Sequence, residues 1–159
     1  MSLIKSGLLA LLTGTLVACT TTGVATRAAV SQQNTAVVLA YLDTVFNKHE
    51  VEQAFKLYVG PQYRQHNPAT ADGNAAAMQA LTHYTRELYP EVHLEVKRTV
   101  AQGDLVSVHS RYYLHSADRD TGKGLAVVDI YRLEHGKIVE HWDVVQNIPA
   151  TSANSNTMF

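Results

Sequence analysis

Residues 125–146, LAVVDIYRLEHGKIVEHWDVVQ, read as a single β-hairpin that carries a carboxylate, Asp129, among apolar neighbours. The arm from Leu125 to Leu133 is rich in β-branched and aromatic residues, His135-Gly136 supplies a two-residue turn, and Ile138 to Val145 forms the return arm. If Glu134 pairs with Lys137 across the turn, Asp129 falls opposite Trp142 and Tyr131 opposite Glu140. His141 and Asp143 then point to the other face with Val128 and Ile130, unless a β-bulge shifts the second arm by one residue. A strand aspartate beside an indole needs a reason. It either pairs with an arginine such as Arg111 and serves the fold, or it moves protons.

Upstream of the hairpin the chain is strand again. Val92 to Ala101 and Leu105 to His115 alternate in polarity across Gln102-Gly103-Asp104, and Gly122-Lys123-Gly124 leads into the hairpin. Further back the spacing turns helical. Val37, Val38, Tyr41, Leu42, Val45 and Phe46 predict a first helix over Asn34 to Asn47, and Ala54, Phe55 and Tyr58 predict a second from Val51 to Val59, stopped by Gly60-Pro61. A loop through Tyr63, His66, Asn67 and Pro68 precedes a third helix over Ala75 to Leu88, ended by Pro90. Helices followed by strands indicate an α+β domain whose antiparallel sheet curls around the helices and leaves a cone-like pocket.

The ends carry different information. Lys5 followed by an apolar run from Gly7 to Ala18, too short to span a bilayer, reads as an export signal over residues 1–18. Leu16-Val17-Ala18-Cys19 resembles the lipobox of bacterial lipoprotein precursors, which makes Cys19 the expected lipidation site and the cell envelope the expected location. Thr20 after it favours an outer membrane facing the periplasm, where there are two membranes. Residues 19–33 are expected to be a flexible tether, 34–150 the folded domain, and 151–159 a polar tail whose Phe159 folds back on apolar surface. Cys19 is the sole cysteine, so an intrachain disulfide, a catalytic thiol and a thiolate zinc site are all excluded. With 13 Lys and Arg against 14 Asp and Glu and no basic run, the chain has no electrostatic reason to hold nucleic acid.

Several motifs together resemble the SnoaL-like proteins, relatives of the polyketide cyclases within the nuclear-transport-factor-2-like (NTF2-like) superfamily. They are Tyr63-Arg64-Gln65-His66-Asn67-Pro68 with Asp72-Gly73, Val106-Ser107-Val108-His109, Asp129-Ile130-Tyr131-Arg132, Gly136-Lys137-Ile138-Val139-Glu140-His141-Trp142-Asp143, and Asn156-Thr157-Met158-Phe159. The resemblance implies an NTF2-like cone, a curved antiparallel sheet wrapped around three N-terminal helices, and a homodimer formed through the sheet's outer face. In the related cyclases an aspartate of the fourth long strand is the acid/base of an intramolecular aldol ring closure, with no cofactor. Asp129 matches it.

Cofactor-free aldol chemistry needs a base for a proton next to a carbonyl and donors for the enolate oxygen. Asp129 is the expected base, and His109 on the preceding strand the group that orients it. His66 and Asn67 at the pocket mouth, Tyr41 from the first helix, Trp142 as a wall, and His141 if a bulge brings it round complete the expected ligand contacts. Each has a bland counterpart: a packing histidine at 109, a turn histidine at 66, a core tyrosine at 41. Two alternatives stand beside the enzyme: a non-catalytic binding lipoprotein using the same pocket, and a metal protein built on His66, His109 and His141. For the second, no histidine pair has zinc-motif spacing and the estimated register separates His141 from Asp129, so no metal is expected.

Overall fold

The computed structural model describes the backbone of residues 21–159 and the side chains of residues 26–159; the expected signal segment 1–18 and Cys19 lie outside it. The chain runs α1 (Thr21–Phe46), α2 (Val51–Tyr58), β1 (Val59–Gln65), α3 (Asn74–His83) continuing as a π-helical turn (Tyr84–Leu88), β2 (His93–Gln102), β3 (Leu105–Tyr113), α4 (Asp118–Thr121), β4 (Leu125–Glu134) and β5 (Lys137–Asn147). The five strands form one curved, open sheet in the order β1-β5-β4-β3-β2, with β1 parallel to β5 and every other pair antiparallel. The expected α+β cone is what the chain adopts. None of the described helices is long and apolar enough to cross a membrane.

The core forms where the stripe of α1 meets the inner face of the sheet. Val38, Leu42 and Val45 are completely buried against Val106 and Val108 of β3 and Ile138 of β5. Burying side chains of this size stabilises a fold by roughly 1.5–3 kcal/mol each before chain entropy is counted. The end of α1 is tied to the sheet by Asn47, whose Oδ1 accepts from the backbone N–H of Leu94 at 2.8 Å while its Nδ2 donates to the Leu94 carbonyl at 3.2 Å. Gly124, at φ +113°, immediately precedes β4, where a Cβ would lie 2.2 Å from the Tyr112 carbonyl oxygen, so the close approach of β3 there admits only glycine.

Three local expectations are corrected. Residues 21–33 are not an unstructured tether but the first turns of α1, which run on without a break into the buried part of the helix and dock at their C-terminal end. Ser31 Oγ accepts from the Gly103 N–H at 3.0 Å and Asn34 Nδ2 donates to the Gly103 carbonyl at 3.1 Å, clasping the β2–β3 turn. The stretch expected as a loop after Gly60-Pro61 is instead part of β1, an edge strand with an irregular register around Pro61, where a residue without an N–H is tolerated.

The hairpin register is the third. Glu134 pairs with Lys137 and Leu133 with Ile138 as expected, but Arg132 then pairs with Glu140, so Val139 is an extra residue, a β-bulge. Beyond it Asp129 lies opposite Asp143 rather than Trp142, and Tyr131 opposite His141 rather than Glu140. The reason is polar. An unbulged arm would turn Glu140 inward against the core, whereas the bulge turns it outward, where its carboxylate accepts from Arg132 Nε at 2.7 Å.

The candidate active site

Between the sheet's inner face, α1 and α3 lies a cavity of about 380 Å³, the size range of small-molecule sites. Aromatic rings supply much of its wall, from Tyr41 and Phe46 of α1, Tyr63 of β1, Tyr84 after α3, Tyr112 of β3 and Tyr131 of β4, with aliphatic side chains such as Leu81 and Val127 between them. Burial pushes the hydroxyls of Tyr41, Tyr112 and Tyr131 well above the usual tyrosine range, and the nearby Asp129 charge adds to it, so they remain protonated donors.

The polar floor comes from β4 and β5. Asp129 and His141 are both buried, and His141 Nε2 lies 2.9 Å from Asp129 Oδ1. The other ring nitrogen, Nδ1, lies 3.0 Å from Gln65 Oε1. That oxygen also accepts the backbone N–H of Asn67 at 2.9 Å, and because a backbone N–H can only donate, the amide of Gln65 is fixed with its oxygen toward His141. His141 therefore donates from Nδ1. Its Nε2 and Asp129 Oδ1 then share one proton, as imidazolium with carboxylate or as imidazole with carboxylic acid. Gln65 Nε2 donates to the Tyr63 hydroxyl at 3.2 Å, which leaves Tyr63's own proton free to donate toward the cavity. Tyr112 Oη approaches Asp129 Oδ2 at 3.4 Å, and Asn67 Nδ2 donates to Asp143 Oδ2 at 2.6 Å.

The bulge decides this assembly. It brings His141 and Asp143 to the face of Asp129, so the separation expected from the unbulged register does not hold. One imidazole nitrogen and two carboxylate oxygens, from Asp129, His141 and Asp143, lie within 4.8 Å of one another, a donor set that a divalent cation also accepts.

Of the residues expected at the site, Asp129, His141, Tyr41 and Asn67 line the cavity. His109, His66 and Trp142 do not. Val108, not His109, is the β3 residue paired with Asp129, so His109 faces outward, where its ring stacks with Phe159 at 5.4 Å and its Nδ1 meets Arg98 Nη1 at 2.7 Å. His66 alternates to the outer side of β1 and lies flat on Trp142, ring centres 4.7 Å apart, with Nε2 on Glu140 Oε1 at 2.9 Å. The indole is thus a support for the outer face rather than a wall of the pocket. Reading Tyr63 to Asn67 as a loop hid Gln65. Read with the period of two that a strand requires, the same residues place Gln65 and Asn67 inside and Arg64 and His66 outside.

A cone of curved sheet around N-terminal helices, with a titratable pair at the floor of an aromatic cavity, defines a protein of the NTF2-like class. The SnoaL-like domain family matches residues 38–141, and the chain belongs to it. Solved structures of the same fold include TsrD from Streptomyces laurentii (17% identity, 72% of this chain and 88% of that one covered, TM-score 0.56). A protein from Kribbella flavida provisionally described as a ketosteroid isomerase is also similar (17% identity, 81% and 89% covered, TM-score 0.60). So is an NTF2-like protein of unknown function from Mesorhizobium loti (22% identity, 73% and 93% covered, TM-score 0.55). No curated protein matches the chain.

Proposed function

We propose that the protein is a cofactor-independent acid/base enzyme that enolises a small, carbonyl-bearing, largely apolar molecule, as the first step of an isomerisation or aldol condensation. The observation that carries this reading is the Asp129–His141 contact at 2.9 Å on the floor of the cavity. In the imidazolium–carboxylate form, Asp129 takes the proton from the carbon next to the substrate carbonyl through Oδ2, the oxygen His141 does not engage. The enolate oxygen accepts from a tyrosine hydroxyl, Tyr63 foremost because Gln65 leaves its proton free, and Oδ2 then returns the proton to a different carbon or to the condensation product. The tyrosine walls keep the site poorly hydrated, which strengthens those donors. Likeness to a protein described as a ketosteroid isomerase supports the reaction class by analogy alone.

The test is deuterium incorporation into 4-phenylbutan-2-one in D₂O, followed by proton NMR. The protein should accelerate exchange at the carbons flanking the carbonyl, and Asp129→Asn should lower that acceleration by about 10²–10⁴-fold, the usual contribution of a positioned base. A variant that exchanges as fast as the parent would instead favour a binding lipoprotein.

The export signal and lipobox resemblance support a second part of the proposal, that Cys19 carries lipid and holds the domain at the bacterial envelope. A literal polyketide cyclase is disfavoured there, since polyketide tailoring belongs to the cytoplasm. Detergent-phase partitioning lost in Cys19→Ser would bear this out; equal partitioning would refute it. The bare outer face of the sheet supports a homodimer.

A further inference from the structure

The charges around the cavity do not cancel, and the imbalance specifies a ligand. α1 contributes Tyr41 and Phe46, both uncharged; β1 and the residues after it contribute Tyr63, Gln65 and Asn67, also uncharged. α3 brings His83 to the wall, but its Nδ1 is 3.0 Å from Glu87. β3 adds Tyr112, and β4 and β5 add Asp129, His141 and Asp143. Among the described residues no lysine or arginine lines the cavity. Asp129 and His141 satisfy each other, whichever of them holds the shared proton. Asp143 is left over: its Oδ2 accepts from the neutral amide of Asn67, and its other oxygen has no protein donor among the described residues.

A carboxylate with no lysine or arginine near it, beside an Asp129–His141 pair that is neutral overall, leaves the cavity with one net negative charge, which attracts cations and repels anions more strongly than it would in water. Tyrosine rings reinforce that preference, since their faces attract cations. Resting on the acid/base reading above, we propose that the substrate bears a protonated amine on its apolar skeleton, held by Asp143 beside the carbonyl that Asp129 addresses. Carboxylate and phosphate compounds are excluded by the same charge. A divalent cation is the rival occupant. The geometry favours the amine, because Asp129 Oδ1 and His141 Nε2 are spent on each other and His141 Nδ1 on Gln65, which leaves one free oxygen of Asp143 rather than three converging donors.

The experiment is calorimetric titration of the full chain, in metal-free buffer at pH 7, with three probes of matched skeleton: 2-phenylethylammonium, 4-phenylbutan-2-one and 3-phenylpropanoate. The ammonium compound should bind at least ~10-fold tighter than the ketone, the carboxylate should not bind, and Asp143→Asn should bring the ammonium within ~3-fold of the ketone. The proposal is overturned if the ammonium fails to bind, if the ketone binds as well, or if Asp143→Asn leaves the preference in place. Stoichiometric binding of zinc or manganese chloride that displaces the ammonium also overturns it, in favour of a metal. The two readings fail separately: ketone exchange that depends on Asp129 would persist without any amine preference.

Discussion

Gln65 determines where the proton on His141 resides. Its oxygen is held by the Asn67 N–H and accepts a hydrogen bond from the Nδ1–H of His141, whose Nε2 faces Asp129. Hydrogen-bond partners that orient a metal-ligating histidine matter by roughly 10–100-fold, and Gln65 orients His141 in the same manner. Gln65→Leu should therefore slow ketone exchange by roughly that factor, because a leucine can neither accept from His141 nor donate to Tyr63. His109→Ala should leave the exchange rate within about twofold, since the ring lies across the sheet against Phe159. A large loss in His109→Ala, or none in Gln65→Leu, would place the reacting groups elsewhere. Of the individual residues, Asp129 was legible in sequence because a lone acid in an apolar strand demands an explanation. Gln65 was not, because a glutamine in a polar stretch carries no such demand.

At the level of elements, the Val139 bulge and the edge strand β1 convert an ordinary hairpin into a site. The bulge sends Glu140 out and His141 in, and Glu140 then gathers His66, Arg132 and Arg64 around itself, tying β1 to β5 from outside while Gln65 ties it from inside. The hydrogen bond from His66, with that from Arg132, holds the Glu140 carboxyl below its ordinary value of 4.5. A carboxyl depressed on folding contributes stability above its unfolded value and loses it as pH falls through the lower folded value. Glu140→Gln should accordingly flatten the decline of stability below pH 4.5, measured as urea midpoints across a pH series. An unchanged acid limb would show that the network does not pin β1. Helix and strand periodicities made most elements readable in advance. The bulge was not, because a one-residue slip leaves the alternating pattern of the arm intact and is decided by tertiary partners, here Arg132 and the core around Ile138. β1 was obscured by Pro61, which argues against a central strand and says nothing against an edge.

At the scale of the whole molecule, the sheet's inner face carries the core and the cavity, while its outer face leaves apolar side chains exposed beyond the part covered by Phe159. Val100 and Val144 are 69% and 71% exposed, and Val128, Ile130 and Leu105 lie on the same outer side of the sheet. Exposed apolar side chains gathered on one face of a sheet suit an association surface, and the proposed homodimer would cover them with one symmetric contact. The protein should sediment as a dimer and Val144→Lys as a monomer, both retaining exchange activity because the cavity opens on the opposite side of the sheet; a dimer undisturbed by that lysine would place the interface elsewhere. The cone fold was legible from the order of the elements, whereas the cavity's polar floor depends on contacts between β1 and β5 that join residues more than seventy positions apart. Asp129 and His141 act as one proton-holding unit, and ¹⁵N-detected NMR of the His141 ring reads where that proton lies. The parent protein should show a protonated Nδ1 at neutral pH, and its Nε2 resonance should move in Asp129→Asn. A bare Nδ1, or an Nε2 signal indifferent to Asp129→Asn, would contradict it.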